Sequence, residues 1–111
     1  MTTAEWLEFQ SKVFEDLKTL TAQKNADYTA GSGDPFANFR GCEDFGVHRL
    51  AGLAIRMDDK FQRVKAYLNN GELKVENEGI EDAFKDIIGY AALALGLIEE
   101  TKDPTKYETI V

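Results

Sequence analysis

The sequence predicts an all-α protein, a helical bundle with three main helices, and three observations carry that expectation. Apolar residues recur at helical spacing in three stretches. No stretch of useful length alternates apolar with polar residues as a half-buried strand would. The second and third stretches stop at residues that end helices, Asn70-Gly71 and Pro104.

The first helix opens with Thr2 and Glu5 at the spacing of a capping box, and Trp6, Phe9, Val13, Leu17 and Leu20 follow at helical intervals to about residue 23. The second covers about 44–69, with Leu50, Leu53, Met57, Phe61, Val64 and Leu68 as its main apolar stripe. Ala51, Gly52, Ile55, Asp59, Gln62 and Ala66 form a second, mostly small face on which another helix can approach closely. The third helix, about 78–101, starts after Asn77, a good N-cap, and is apolar on more than one side. Residues 102–111 read as a loosely held tail.

A chain of 111 residues without a composition break is expected to be one domain with a small core. The surplus apolar faces then call for a second copy, as a homodimer or homotetramer: Leu93, Leu97 and Gly89 lie opposite Phe84, Ala91, Leu95 and Ile98 on the third helix. The formal charge of −7 argues against nucleic acid or an anionic membrane as partner, since both need a basic surface. A polyphosphate ligand must bring its own metal. The single cysteine, Cys42, forms no internal disulfide, and the N-terminus lacks the basic-then-apolar order of a signal peptide. The longest apolar run, 87–98, falls short of the roughly 20 residues of a membrane span. A cytoplasmic location is expected.

Glu78, Asp82 and Asp86 stand four residues apart and stack on one stripe of the third helix. Like charges at that spacing repel, and Asp86 is flanked by Phe84, Ile87 and Tyr90. A divalent cation would offset both costs, and Mg²⁺ or Mn²⁺ suits an all-oxygen site. Neutralising Asp82 or Asp86 is then expected to raise stability in metal-free buffer, whereas an acid held in a buried ion pair would lose roughly 3–5 kcal/mol on neutralisation. The alternative is that Glu78, Glu81 and Asp82 are first-turn acids favoured by the helix dipole, a reading that leaves Asp86 unexplained. Asp59 lies between Asp58 on one flank and Arg56, Lys60 and Arg63 on the other, so it is either metal-bound or paired with Arg56 or Arg63.

Residues 25–43 make a connection longer than a bundle needs. Its aromatics Tyr28, Phe36 and Phe39 suit an ordered loop, and Lys24, Asn25, Asp27, Asn38 and Arg40 offer polar contacts for a base or sugar. His48 has no ligand partner for zinc and reads as a satisfied polar or surface histidine. Cys42 reads as structural, Gly31 and Gly33 form no phosphate loop, and Ser11 and Ser32 support no catalytic triad.

Taken together, KNADY and DPFANFR in the long loop, RMDDKFQR in the second helix and ENEGIEDAFKDIIGYAA in the third resemble the MazG-like all-α nucleoside triphosphate pyrophosphohydrolases. The likeness is greatest to the small, often phage-encoded branch described as a nucleotide-modification-associated domain, which would place the protein in a host cytoplasm. The resemblance implies that two acidic helices coordinate Mg²⁺, which holds a triphosphate while water releases pyrophosphate and leaves a monophosphate. It assigns Asp59, Glu78, Asp82 and Asp86 as metal-binding and catalytic residues. Lys60 and Arg63 become phosphate contacts, and Asn25, Asp27, Tyr28, Asn38 and Phe39 base or sugar contacts. The acidic set is sparser than the family's Glu-Glu-x-x-Glu and Glu-x-x-Asp, with only Asp58 and Asp59 on the second helix and Ala83 three before Asp86. A non-catalytic nucleotide-binding or protein-interaction module is the alternative, and a purely structural helical oligomer a third.

Overall fold

A computed structural model of the chain describes residues 1–28, 34–70 and 79–102, with the backbone alone for 25–28. The described residues are all-α. They form α1 (Thr3–Tyr28), the short α2 (Ala37–Arg40), a 3-10 helix (Gly41–Phe45), α3 (Arg49–Asn70) and α4 (Ile80–Glu100). The chain divides into two compact units, Met1–Pro35 and Phe36–Val111.

In the first unit, α1 begins where the capping box places it. Thr2 Oγ1 accepts the Glu5 N–H at 3.1 Å and donates to Glu5 Oε1 at 3.1 Å, satisfying a donor that a helix start leaves open. Along the expected apolar stripe, Val13 and Leu17 are half-buried, while Trp6 and Phe9 stack on each other with centroids 6.2 Å apart. The helix runs to Tyr28, five residues beyond the expected end, so Asn25, Asp27 and Tyr28 are helical and not part of a loop.

The second unit is built on α3 and α4, which pack along each other. Lys60, midway along α3, meets Asp86 near the start of α4, whereas Phe36 and Arg40, just before α3, sit against Gly96 and Glu100 at the far end of α4. The two helices are therefore antiparallel. Among the described residues Leu53 (2% exposed), Ala83 (4%) and Leu97 (1%) are the buried apolar ones, and a half-buried stripe of Met57, Val64 and Tyr67 continues from Leu53 along α3. This stripe takes in Lys60 and leaves Phe61 and Leu68 exposed, a small rotation from the apolar stripe read in the sequence.

The segment before α3 is where the sequence reading departs furthest from the structure. A connection was expected over 25–43, but 37–45 is helical and strapped across the end of the α3–α4 pair. Phe36 lies so close to Gly96 that a Cβ there would fall 2.8 Å from the ring. Arg40 pairs with Glu100 and sits over the Phe36 ring, and Arg56 of α3 sits 4.9 Å from the Phe39 centroid. On the other side Cys42 presses on Gly52, where a Cβ would come within 2.6 Å of Sγ. Gly46, at φ 76°, then reverses the chain in a conformation only glycine adopts cheaply.

α3 starts at Arg49, later than expected. His48 is its N-cap: its carbonyl accepts the Gly52 N–H at 2.9 Å and its Nδ1 accepts the Leu50 N–H at 3.1 Å. α4 starts at Ile80 after Gly79, while Asn77, the expected N-cap, lies outside the described residues, as does the expected tail beyond Lys102. No described helix is long and apolar enough to cross a membrane.

Candidate functional site on the α3–α4 pair

Arg56, Lys60 and Arg63 follow one another at four- and three-residue spacing, which makes one flank of α3 a row of cations. The covered stripe of α3 carries the Lys60 stem inward, and its side chain is only 19% exposed. Its ammonium reaches Asp86 Oδ2 at 2.8 Å, and Asp86 is itself two-thirds covered. This ion pair joins the middle of α3 to the second turn of α4. Arg56 caps the aromatic face of Phe39, and Arg63 is also engaged.

The acids are placed differently from one another. Asp82 is exposed at the third position of α4, where its carboxylate accepts the Gly79 N–H at 3.4 Å. That is the helix-start role weighed against metal binding, and a first-turn acid also favours the helix dipole. Asp86, one turn further in, has Lys60 as its counter-charge. Its burial thus has a cause besides metal, and of the two outcomes weighed for neutralising Asp86 the pair favours the loss of stability, because the change would strand a half-buried ammonium.

Asp59 is exposed, so it does not sit in a close-packed seam within the chain. Among the described residues neither Arg56 nor Arg63 forms an ion pair with it. The small face expected around it is split: Ile55, Asp59 and Gln62 are exposed, while Gly52 serves the approach of Cys42.

Glu78 lies outside the described residues, as do the side chains of Asn25, Asp27 and Tyr28. Lys24 is exposed on α1, in the first unit, and Asn38 is exposed on α2. Phe39 is half-buried under Arg56, so it braces the strap whatever else it does.

Hard oxygen donors of this kind suit Mg²⁺ or Mn²⁺. Among the described residues, however, no three Asp, Glu, His or Cys side chains come together as a metal-holding group. The arrangement does not by itself fit a resident metal: Asp82 is given to the helix start and Asp86 to Lys60.

What sequence reasoning missed is the Lys60–Asp86 bond. Lys60 appeared as one of three flanking cations and Asp86 as the unexplained buried acid. The signal linking them was that each charge intrudes on the apolar stripe of its own helix.

A family model described as nucleotide modification associated domain 1 matches residues 24–98. No curated protein and no solved structure matches the chain.

Proposed function

The chain belongs to the nucleotide modification associated domain 1 family, and from the resemblance of its motifs to MazG-like enzymes we propose that it hydrolyses a nucleoside triphosphate to the monophosphate and pyrophosphate. The observation that carries the reading is the Lys60–Asp86 pair between α3 and α4. A cation suited to phosphate oxygens and a carboxylate suited to activating water stand 2.8 Å apart, with Asp82 one turn away.

In this reaction Lys60 turns its ammonium onto the phosphates, with Arg63 one turn on along the same helix, and Asp86 is freed to accept a proton from water. The water oxygen bonds to the α-phosphorus, the bond from that phosphorus to the bridging oxygen breaks, and pyrophosphate leaves. Mg²⁺ or Mn²⁺ arriving with the triphosphate supplies the charge neutralisation that a protein of net charge −7 lacks. The working form is a homodimer or homotetramer.

A second reading, a module that binds nucleotide without turning it over, is favoured by the sparse acidic set, with only Asp58 and Asp59 on α3 and Ala83 three before Asp86. A panel of natural and modified nucleoside triphosphates with Mg²⁺, read for pyrophosphate release, separates the two. Pyrophosphate from one or more members supports hydrolysis. Saturable binding without pyrophosphate supports the module and overturns hydrolysis, and no binding at all overturns both.

A further inference from the structure

The chain's four arginines are Arg40, Arg49, Arg56 and Arg63. Arg40 pairs with Glu100, Arg49 with Glu43 at 2.5 Å, and Arg63 is engaged. Arg56 differs. It is half-buried, yet among the described residues it forms no ion pair and no hydrogen bond, and its guanidinium lies over the Phe39 ring, 4.9 Å from the centroid. We propose that Arg56 binds a phosphate group of the nucleotide and that Phe39 is the residue that positions it. The inference deepens the hydrolase reading and rests on it for the identity of the anion.

A guanidinium over an aromatic face is held through its charge, while its N–H donors lie in its own plane and are left for a fork of oxygens. The ring restrains the group without consuming a donor. Carboxylates are plentiful in a chain with 20 acidic and 13 basic side chains, and Asp59 is only three residues further along α3. Asp59 is nonetheless exposed and does not pair with Arg56. A half-buried cation without a counter-ion carries a cost that an arriving anion removes, and phosphate matches the guanidinium in a bidentate contact.

Phe39 is itself fixed from several sides. Its N–H donates to the Phe36 carbonyl at 2.9 Å, and its carbonyl accepts from the Cys42 thiol at 3.6 Å. Phe36 rests on Gly96 and Arg40 pairs with Glu100, so the strap ties the ring to α4 while the arginine belongs to α3. The place of the guanidinium therefore depends on the strap staying docked. In this arrangement Phe39 acts on the phosphates through Arg56, which is a different role from contact with the base.

Inorganic tripolyphosphate separates the two roles, because it carries the phosphates without base or sugar. Its binding to the full chain in Mg²⁺ buffer, measured by calorimetry, is the test, and wild type should bind it. Arg56→Met should weaken that binding about tenfold or more, and Arg56→Lys about threefold or more, since lysine keeps the charge and lacks the fork. Phe39→Leu should weaken it about threefold or more, and Phe39→Tyr, which keeps the aromatic face, should bind as wild type does. Melting curves without ligand check that each variant folds, and Arg56→Lys serves if the methionine variant does not.

The assignment of Arg56 is overturned if wild type binds no tripolyphosphate or if the Arg56 variants bind it as tightly as wild type. The positioning role is overturned if Phe39→Leu leaves tripolyphosphate binding unchanged, and a loss confined to the nucleoside triphosphate would make Phe39 a base contact instead. Pyrophosphate release by a protein whose Arg56 variants keep their affinity leaves the reaction and removes the residue from it. Lost tripolyphosphate binding in the variants of a protein that releases no pyrophosphate leaves the residue and removes the reaction.

Discussion

Lys60 and Asp86 show how one contact redirects the meaning of a residue. A lone half-buried carboxylate invites a metal, whereas the same carboxylate with an ammonium at 2.8 Å is already compensated. Asp86→Asn is therefore expected to lower stability in metal-free buffer, by more than the ~0.2–1 kcal/mol of an exposed pair and less than the roughly 3–5 kcal/mol of a fully buried one. Melting in EDTA checks the sign, and a variant more stable than its parent would contradict the ion pair. Gly52 offers a second residue-scale test. A methyl group there meets Cys42 Sγ at 2.6 Å, so Gly52→Ala should cost about 1–3 kcal/mol. Adding Cys42→Ala should return part of the loss, because the sulfur is the nearest obstacle. Additive losses in denaturant melts of the single and double variants would show that the contact does not govern the packing.

At the scale of elements, helix starts were the most legible feature where a side chain announces them. Thr2 and Glu5 sit at capping-box spacing and form those bonds. His48 was not legible, because imidazole is a rare cap and its Nδ1 bond to the Leu50 N–H depends on backbone already turned by Gly46. The strap formed by α2 and the 3-10 helix was invisible as helix for a related reason: nine residues carry too little periodicity, and the segment is held by Phe36 on Gly96, Arg40 on Glu100 and Cys42 on Gly52, contacts distant in sequence. That its aromatics dock was nonetheless readable, and Phe36 and Phe39 do. The two roles weighed for Asp82 can be separated on α4 itself. Asn keeps an oxygen for the Gly79 N–H, so Asp82→Asn should melt within about 0.5 kcal/mol of the parent, while Asp82→Ala should lose roughly 1 kcal/mol. On the hydrolase reading both variants lose pyrophosphate release. An Asp82→Asn protein that is fully active would confine Asp82 to the helix start.

For the whole molecule, the fold class was legible because three long periodic stretches have no competing reading as strands. The proposed oligomer rests on what those stretches leave uncovered. Phe84, Leu95 and Ile98 on α4 lie on the side away from Ala83 and Leu97, and Leu95 remains 67% exposed. Ile55, Phe61 and Leu68 are exposed on α3 as well. Apolar faces of this kind are ordinarily covered by another subunit. Light scattering at micromolar concentration is expected to return at least twice the 12.4 kDa chain mass, and the mass of a single chain would contradict the oligomer.

Whether this helix pair breaks a phosphoanhydride at the α-phosphorus decides the proposed function. The most direct measurement is product stoichiometry from a bound nucleoside triphosphate with Mg²⁺, resolved by phosphorus NMR, for the wild type beside Asp86→Asn. One pyrophosphate for each nucleoside monophosphate, lost in the variant, is the predicted result. Nucleotide that binds and is recovered intact, or inorganic phosphate with a nucleoside diphosphate in place of pyrophosphate, would contradict it.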